Sequence, residues 1–162
     1  MKIATWNVNS LRVRLPHVLK WLEEEKPDIL ALQELKMETQ NFPEEVFKSS
    51  GYYTVANGQK TYNGVAIISK LPLTEIDTPD YDEQRRLLSA TINNIRIINA
   101  YVPNGQSLDS SKYEYKLNYP VDGYMWERIS DYISKNNLYC VYNKKISACK
   151  DQDGPRENNK AI

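Results

Sequence analysis

Up to Tyr101 the hydrophobic positions of this chain switch between two spacings, about 2 residues and about 3.6. Lys2 to Val8 alternates loosely and is rich in Ile, Thr, Trp and Val, which predicts a strand. Leu15, Val18, Leu19 and Leu22 then fall at helical spacing and predict a helix over Leu11 to Glu25, with Ser10 as its cap. Lys26-Pro27-Asp28 stops that helix, because the residue before a proline disfavours helical backbone. Asp28 to Gln33 follows as a second strand. Its run Ile29-Leu30-Ala31-Leu32 does not alternate, the mark of a strand buried on both faces. Pro43 to Ser50 reads as a short helix, with Glu44 and Glu45 in its first turn and Gly51 past its end. Strands are then predicted over Tyr52 to Ala56, Gly64 to Ser69, Leu87 to Ile92 and Ile95 to Tyr101. Asn57-Gly58 marks one turn and Asn93-Asn94 a tight hairpin. Tyr124 to Asn136 is predicted as a helix and Leu138 to Tyr142 as a strand. Asp151 to Ile162 reads as a disordered terminus. Strands interleaved with helices make the fold class α/β, or layered α+β.

The 162 residues suffice for one domain with a real core, and no repeat or linker divides them. Lys+Arg and Asp+Glu both total 21, so charge leaves no global footprint for nucleic acid, although a local basic cleft stays open. Cys140 and Cys149 are the only cysteines, and Met1-Lys2-Ile3 opens directly into a strand pattern rather than a leader. A reduced, cytoplasmic setting without a disulfide framework is expected. No apolar run approaches the ~20 residues of a membrane span, so no membrane partner is expected. His17, the one histidine, falls on the predicted helix surface, which excludes histidine-cluster metal sites and any triad needing a second imidazole.

Polar residues cluster where the buried strands end. The run at Leu32 breaks into Gln33-Glu34-Leu35-Lys36, the first strand leaves through Asn7, and Ile97 to Tyr101 runs into Val102-Pro103-Asn104-Gly105. Open sheets carry their sites at such rims. A carboxylate held there suits a hard cation such as Mg²⁺. Taken singly, each residue has a plainer reading: Glu34 as a solvated acid, Asn7 as a turn former, Tyr101 as packing. Together they make a metal-plus-phosphate site arguable, with Glu34 on the cation, Asn7 orienting that shell through its amide oxygen, and Tyr101 offering a phenolic donor.

The segments WNVNSLR (6–12), PDILALQELK (27–36), YNGVAIISK (62–70), RRLLSATI (85–92) and NAYVPNG (99–105) resemble, in order and spacing, the bacterial exonuclease III family of apurinic/apyrimidinic endonucleases. The resemblance covers residues 1–118 and implies the N-terminal half of a DNase I-like four-layer α-β-β-α sandwich. It implies that Asn7 and Glu34 serve a Mg²⁺ site (Mn²⁺ as the alternative), that Tyr101 acts catalytically at the scissile phosphate, and that Asn63 and Asn104 lie along the DNA cleft. The implied activity is base-excision DNA repair on double-stranded DNA, by incision at abasic sites and removal of nucleotides from 3′ ends. No oligomer is expected.

Past Asn118 the resemblance stops, and 119–162 is expected to be a divergent tail. The family carries a Gly-Asp-Phe-Asn type motif, a further aspartate and a Ser-Asp-His ending that are not written here. Aligned on the tail's helix and strand, Asn143 stands in place of the motif aspartate and Lys145 in place of its asparagine. An amide cannot serve as a base. The expectations are therefore a truncated or frame-disrupted chain, a second sheet largely absent with an apolar face bared, and impaired or no activity. The alternative is a non-catalytic remnant that binds DNA weakly.

Overall fold

The computed structural model describes residues 1–79, 83–102, 107 and 109–111. Its elements follow the hydrophobic pattern closely: β1 (Ile3–Asn7), α1 (Leu11–Glu25), β2 (Ile29–Gln33), a single 3-10 turn (Thr39–Asn41), α2 (Glu44–Ser49), β3 (Tyr53–Asn57), β4 (Val65–Ser69), β5 (Thr74–Asp77), β6 (Leu87–Ile92) and β7 (Ile95–Ala100). The predicted helix Tyr124 to Asn136, the strand Leu138 to Tyr142, the disordered terminus and the divergent tail 119–162 lie outside the described residues. β5 escaped the sequence pattern because Thr-Glu-Ile-Asp has one apolar residue, and all four positions are exposed.

The strands form two sheets. One has the order β1-β2-β4-β3, with β1 parallel to β2 and the rest antiparallel; the other has the order β5-β6-β7 and is antiparallel throughout. Strand alternation assigns each side chain to a layer. Leu30, Leu32, Ala66 and Ile68 point to the helices and share a core with Leu11, Val18 and Leu22 of α1 and Phe47 of α2. Ile29, Val65 and Ile67 point the other way and meet Leu88, Ala90 and Ile92 of β6 between the sheets. β2 and β4 are buried along their whole length because they serve both cores. The arrangement is the α/β layering expected of a DNase I-like sandwich.

Two expectations need correction. The half-sandwich with an incomplete second sheet is as expected, but that sheet is not largely absent: among the described residues three strands of it pack on the inner face of the first. The large exposed hydrophobic side chains among the described residues, such as Val13, Val46, Tyr62 and Ile76, are spread over α1, α2, a loop and β5 rather than gathered on one bare sheet. Ser10 stands at the start of α1 but makes no side-chain cap. Its backbone has φ 92°, and the Leu11 amide donates instead to the Leu35 carbonyl at 3.0 Å. A neighbouring chain segment thus satisfies one of the helix-start amides.

The Asn57-Gly58 turn carries a steric requirement. A Cβ on Gly58 would lie 2.3 Å from the Met37 carbonyl oxygen, closer than any real contact. Gly58→Ala is expected to destabilise the chain by ~1–3 kcal/mol through forced backbone displacement, read as a lower urea midpoint at unchanged slope.

Candidate metal and phosphate site

β1 and β2 run parallel with Asn7 opposite Gln33, so both strands leave the sheet at one rim. They stay zipped beyond it. Val8 donates to the Gln33 carbonyl at 3.0 Å and Ser10 to the Glu34 carbonyl at 2.8 Å. Glu34 (φ 56°) and Lys36 (φ 53°) both adopt the left-handed conformation. Non-glycine residues held so cost ~1–3 kcal/mol each and concentrate at functional sites. Neighbouring backbone bonds hold the turn: Leu35 donates to the Gly64 carbonyl at 3.1 Å and Lys36 to that of Asn63 at 2.9 Å. Tyr101 arrives from the other sheet, just past β7, where its amide donates to the Arg86 carbonyl at 2.8 Å.

Three predicted residues converge here. The Asn7 amide nitrogen donates to Glu34 Oε1 at 2.7 Å, and the Tyr101 hydroxyl donates to the same oxygen at 2.7 Å. Glu34 Oε2 faces the Lys36 ammonium at 3.5 Å, and the Glu34 side chain is only 17% exposed. Lys36 also donates to Asn9 Oδ1. Asn7 thus meets Glu34 through nitrogen, while its oxygen accepts from the Asn9 backbone amide at 3.1 Å. Asn63 borders the site through its backbone carbonyl. Asn104 lies outside the described residues. His17 is exposed on α1.

The electrostatics follow from these contacts. Burial disfavours ionised Glu34, but the hydrogen bonds from Asn7 and Tyr101 and the Lys36 ammonium outweigh it, so its pKa lies below the usual 4.5. Burial, then the hydrogen bond to Glu34 and that residue's charge, push Tyr101 up to about 12. At neutral pH the pair is therefore a carboxylate and a neutral phenol whose one proton is directed to that carboxylate. The Arg86 guanidinium stacks 4.6 Å above the Tyr101 ring and donates to the Tyr101 carbonyl at 3.3 Å, fixing the ring on its other side.

This donor set fits Mg²⁺ in a limited way. Mg²⁺ is commonly held by one or two carboxylates, with water and substrate phosphate completing the shell. Glu34 supplies one oriented carboxylate whose second oxygen already faces a positive charge. Among the described residues no group of three or more His, Cys, Asp or Glu side chains could hold a metal.

Several contributors escaped the sequence reading. Lys36 carried a signal, a cation two positions after Glu34 on the same exit. So did Asn99, an amide inside the apolar run Ile97 to Ala100, and Gln33, which closes another. Asn9 and Arg86 carried none, since their roles depend on segments distant in sequence.

Residues 4–136 match the Endonuclease/Exonuclease/phosphatase family. Over 116 residues the chain is 35% identical to exodeoxyribonuclease III of Haemophilus influenzae, covering 66% of this chain and 43% of that protein. The structure of the 3′ phosphatase NExo from Neisseria bound to product DNA hairpin superposes with TM-score 0.78 at 43% identity, over 84% of this chain and 54% of that one. An AP endonuclease from Archaeoglobus fulgidus superposes with TM-score 0.72 at 44% identity, over 83% and 51%. The chain thus spans about half the length of these relatives.

Proposed function

We propose, from the premise that this chain belongs to the Endonuclease/Exonuclease/phosphatase family and there to the exonuclease III and AP endonuclease group, that the cluster at Glu34 is the metal- and phosphate-binding part of a DNA phosphodiesterase site. The observation that carries the proposal is the pair of 2.7 Å bonds that bring Asn7 and Tyr101 onto one oxygen of Glu34 from two different sheets. The substrate class is double-stranded DNA with abasic sites or 3′ ends, by likeness to relatives named for such chemistry.

Within that reading the Glu34 carboxylate would hold Mg²⁺ or Mn²⁺. The bound cation would neutralise charge on the phosphate and on its leaving oxygen. Asn7 keeps the carboxylate turned toward the rim. The one hydroxyl proton of Tyr101, held by Glu34 here, would pass to a phosphate oxygen when substrate binds; as a neutral phenol at neutral pH it does not take a proton from water. Lys36 adds a cation beside the negative substrate.

Water activation is the part that this chain supplies poorly. Its one histidine is exposed on α1, and its sequence carries no Gly-Asp-Phe-Asn segment. We therefore assign it impaired or no cleavage by itself, with weak binding of DNA as the second reading. The test is a duplex with one abasic site, incubated with the chain in Mg²⁺ or in EDTA. Duplex binding strengthened by Mn²⁺ is expected, with any slow incision sensitive to EDTA and lost in Tyr101→Phe. Incision that persists in EDTA, or a chain that binds neither metal nor duplex, overturns the proposal.

A further inference from the structure

We infer that Gln33 and Asn99 form a positioning bridge between the sheets that sets the separation of Glu34 and Tyr101; its purpose rests on the metal-and-phosphate reading above. Both amides are buried, Gln33 at 6% exposure and Asn99 at 2%. The Asn99 amide nitrogen donates to the Leu32 carbonyl at 2.9 Å and the Ala66 carbonyl at 2.8 Å, on adjacent strands of the opposite sheet. Its oxygen accepts from Gln33 Nε2 at 2.8 Å, and the same nitrogen donates to Thr5 Oγ1 at 3.0 Å. One amide pair thus ties β1, β2 and β4 to β7.

The position of this bridge is what assigns its role. Gln33 directly precedes Glu34, and Asn99 shares the inward face of its strand with Tyr101, two residues on. The layer between the sheets is otherwise mainly apolar, with a second buried amide, Asn57 of β3, donating across it to the Leu87 carbonyl of β6 at 3.0 Å, away from Glu34 and Tyr101 in sequence. Apolar contacts are non-directional and tolerate small sliding of one sheet over the other. Hydrogen bonds to fixed backbone carbonyls do not, because they weaken steeply with misalignment and a buried amide left without partners is costly. An apolar pair would have filled the space. The amide pair adds register at the one rim where groups from both sheets must meet on a single oxygen.

The test uses the full chain with isotopically labelled tyrosine, following the ring Cζ resonance of Tyr101 at neutral pH, a signal sensitive to the hydroxyl's hydrogen bond. Tyr101→Phe assigns it among the 12 tyrosines. Glu34→Ala gives the position with the bond absent. Gln33→Met keeps length and removes the donor. Asn99→Thr introduces a good strand former and loses the reach to both carbonyls. Each is expected to shift the Tyr101 signal toward its Glu34→Ala position, and either variant suffices if the other fails to fold. Ile67→Val, a trimmed residue of the same layer, is expected to leave the signal in place. A Tyr101 signal unmoved in the bridge variants overturns the inference. So does an equal shift in Ile67→Val, which would mean general loosening. Failure of the unaltered chain to bind Mn²⁺ or DNA would remove the functional reading alone, since the tyrosine signal still decides the bridge.

Discussion

Glu34→Ala is expected to weaken Mn²⁺ binding by the folded chain more than ~100-fold, since loss of a mere orienting partner already costs about 10–100-fold. The loss has two parts. Alanine removes the Glu34 carboxylate from the rim, and it leaves the Asn7 amide and the Tyr101 hydroxyl without their shared acceptor. Glu34→Gln separates the two, because an amide oxygen keeps both hydrogen bonds while the charge is gone. Glutamine is expected to cost less fold stability than alanine, since it gives up the Lys36 ion pair but keeps both hydrogen bonds, yet to bind Mn²⁺ no better than alanine. The pH dependence follows from the direction of the shift. Glu34 titrates below 4.5, so it stays ionised through the mildly acidic range, and binding should fade only as pH drops through that lowered pKa. Titration of Mn²⁺ by water-proton relaxation, at neutral and mildly acidic pH, measures all of this. Metal affinity in Glu34→Gln equal to that of the unaltered chain would move the site elsewhere.

The second large effect is on the fold. Phe47→Ala is expected to destabilise the chain by ~3–5 kcal/mol, the range for a phenylalanine removed from a packed core. Phe47 is fully buried, comes from the short helix α2, and stacks on Phe42 with ring centroids 5.4 Å apart. Only about 5–15 kcal/mol separates most domains from unfolding, so a loss of this size takes away much of the margin. Val46→Ala, one residue earlier on the exposed face, should stay within ~0.5 kcal/mol. Urea unfolding followed by tryptophan fluorescence compares the two, and the effect should appear in the midpoint with the slope unchanged. Equal midpoints for both variants would contradict the packing described here.

Most of the fold could be read from spacing. α1 begins and ends where Leu15, Val18, Leu19 and Leu22 put it, because an amphipathic helix needs its apolar stripe at one period and Pro27 forbids continuation. The unbroken run in β2 correctly signalled burial on both faces. β5 was missed because an exposed edge strand carries no hydrophobic signature, and its strand character comes from pairing with β6. Ser10 was misread because a serine before a helix is a good cap on local grounds. Amide bonds from Ser10 and Leu11 to the Glu34 and Leu35 carbonyls, distant in sequence, accompany a backbone at φ 92° that makes no side-chain cap.

The candidate site divides along the same line. Asn7, Glu34 and Tyr101 stood out singly, as polar residues at the ends of apolar runs, and local sequence determines where a strand must end. That they share one oxygen of one carboxylate was decided by the tertiary structure. β1 and β2 bring Asn7 beside Glu34, and only the stacking of a second sheet on the first carries Tyr101 across 67 positions of chain to join them. The buried pair Gln33 and Asn99 shows the physical reason. Alternation along a strand says which way a side chain points. What it meets there depends on the register between sheets, and that is set by packing and directional bonds across the interface rather than by any local pattern.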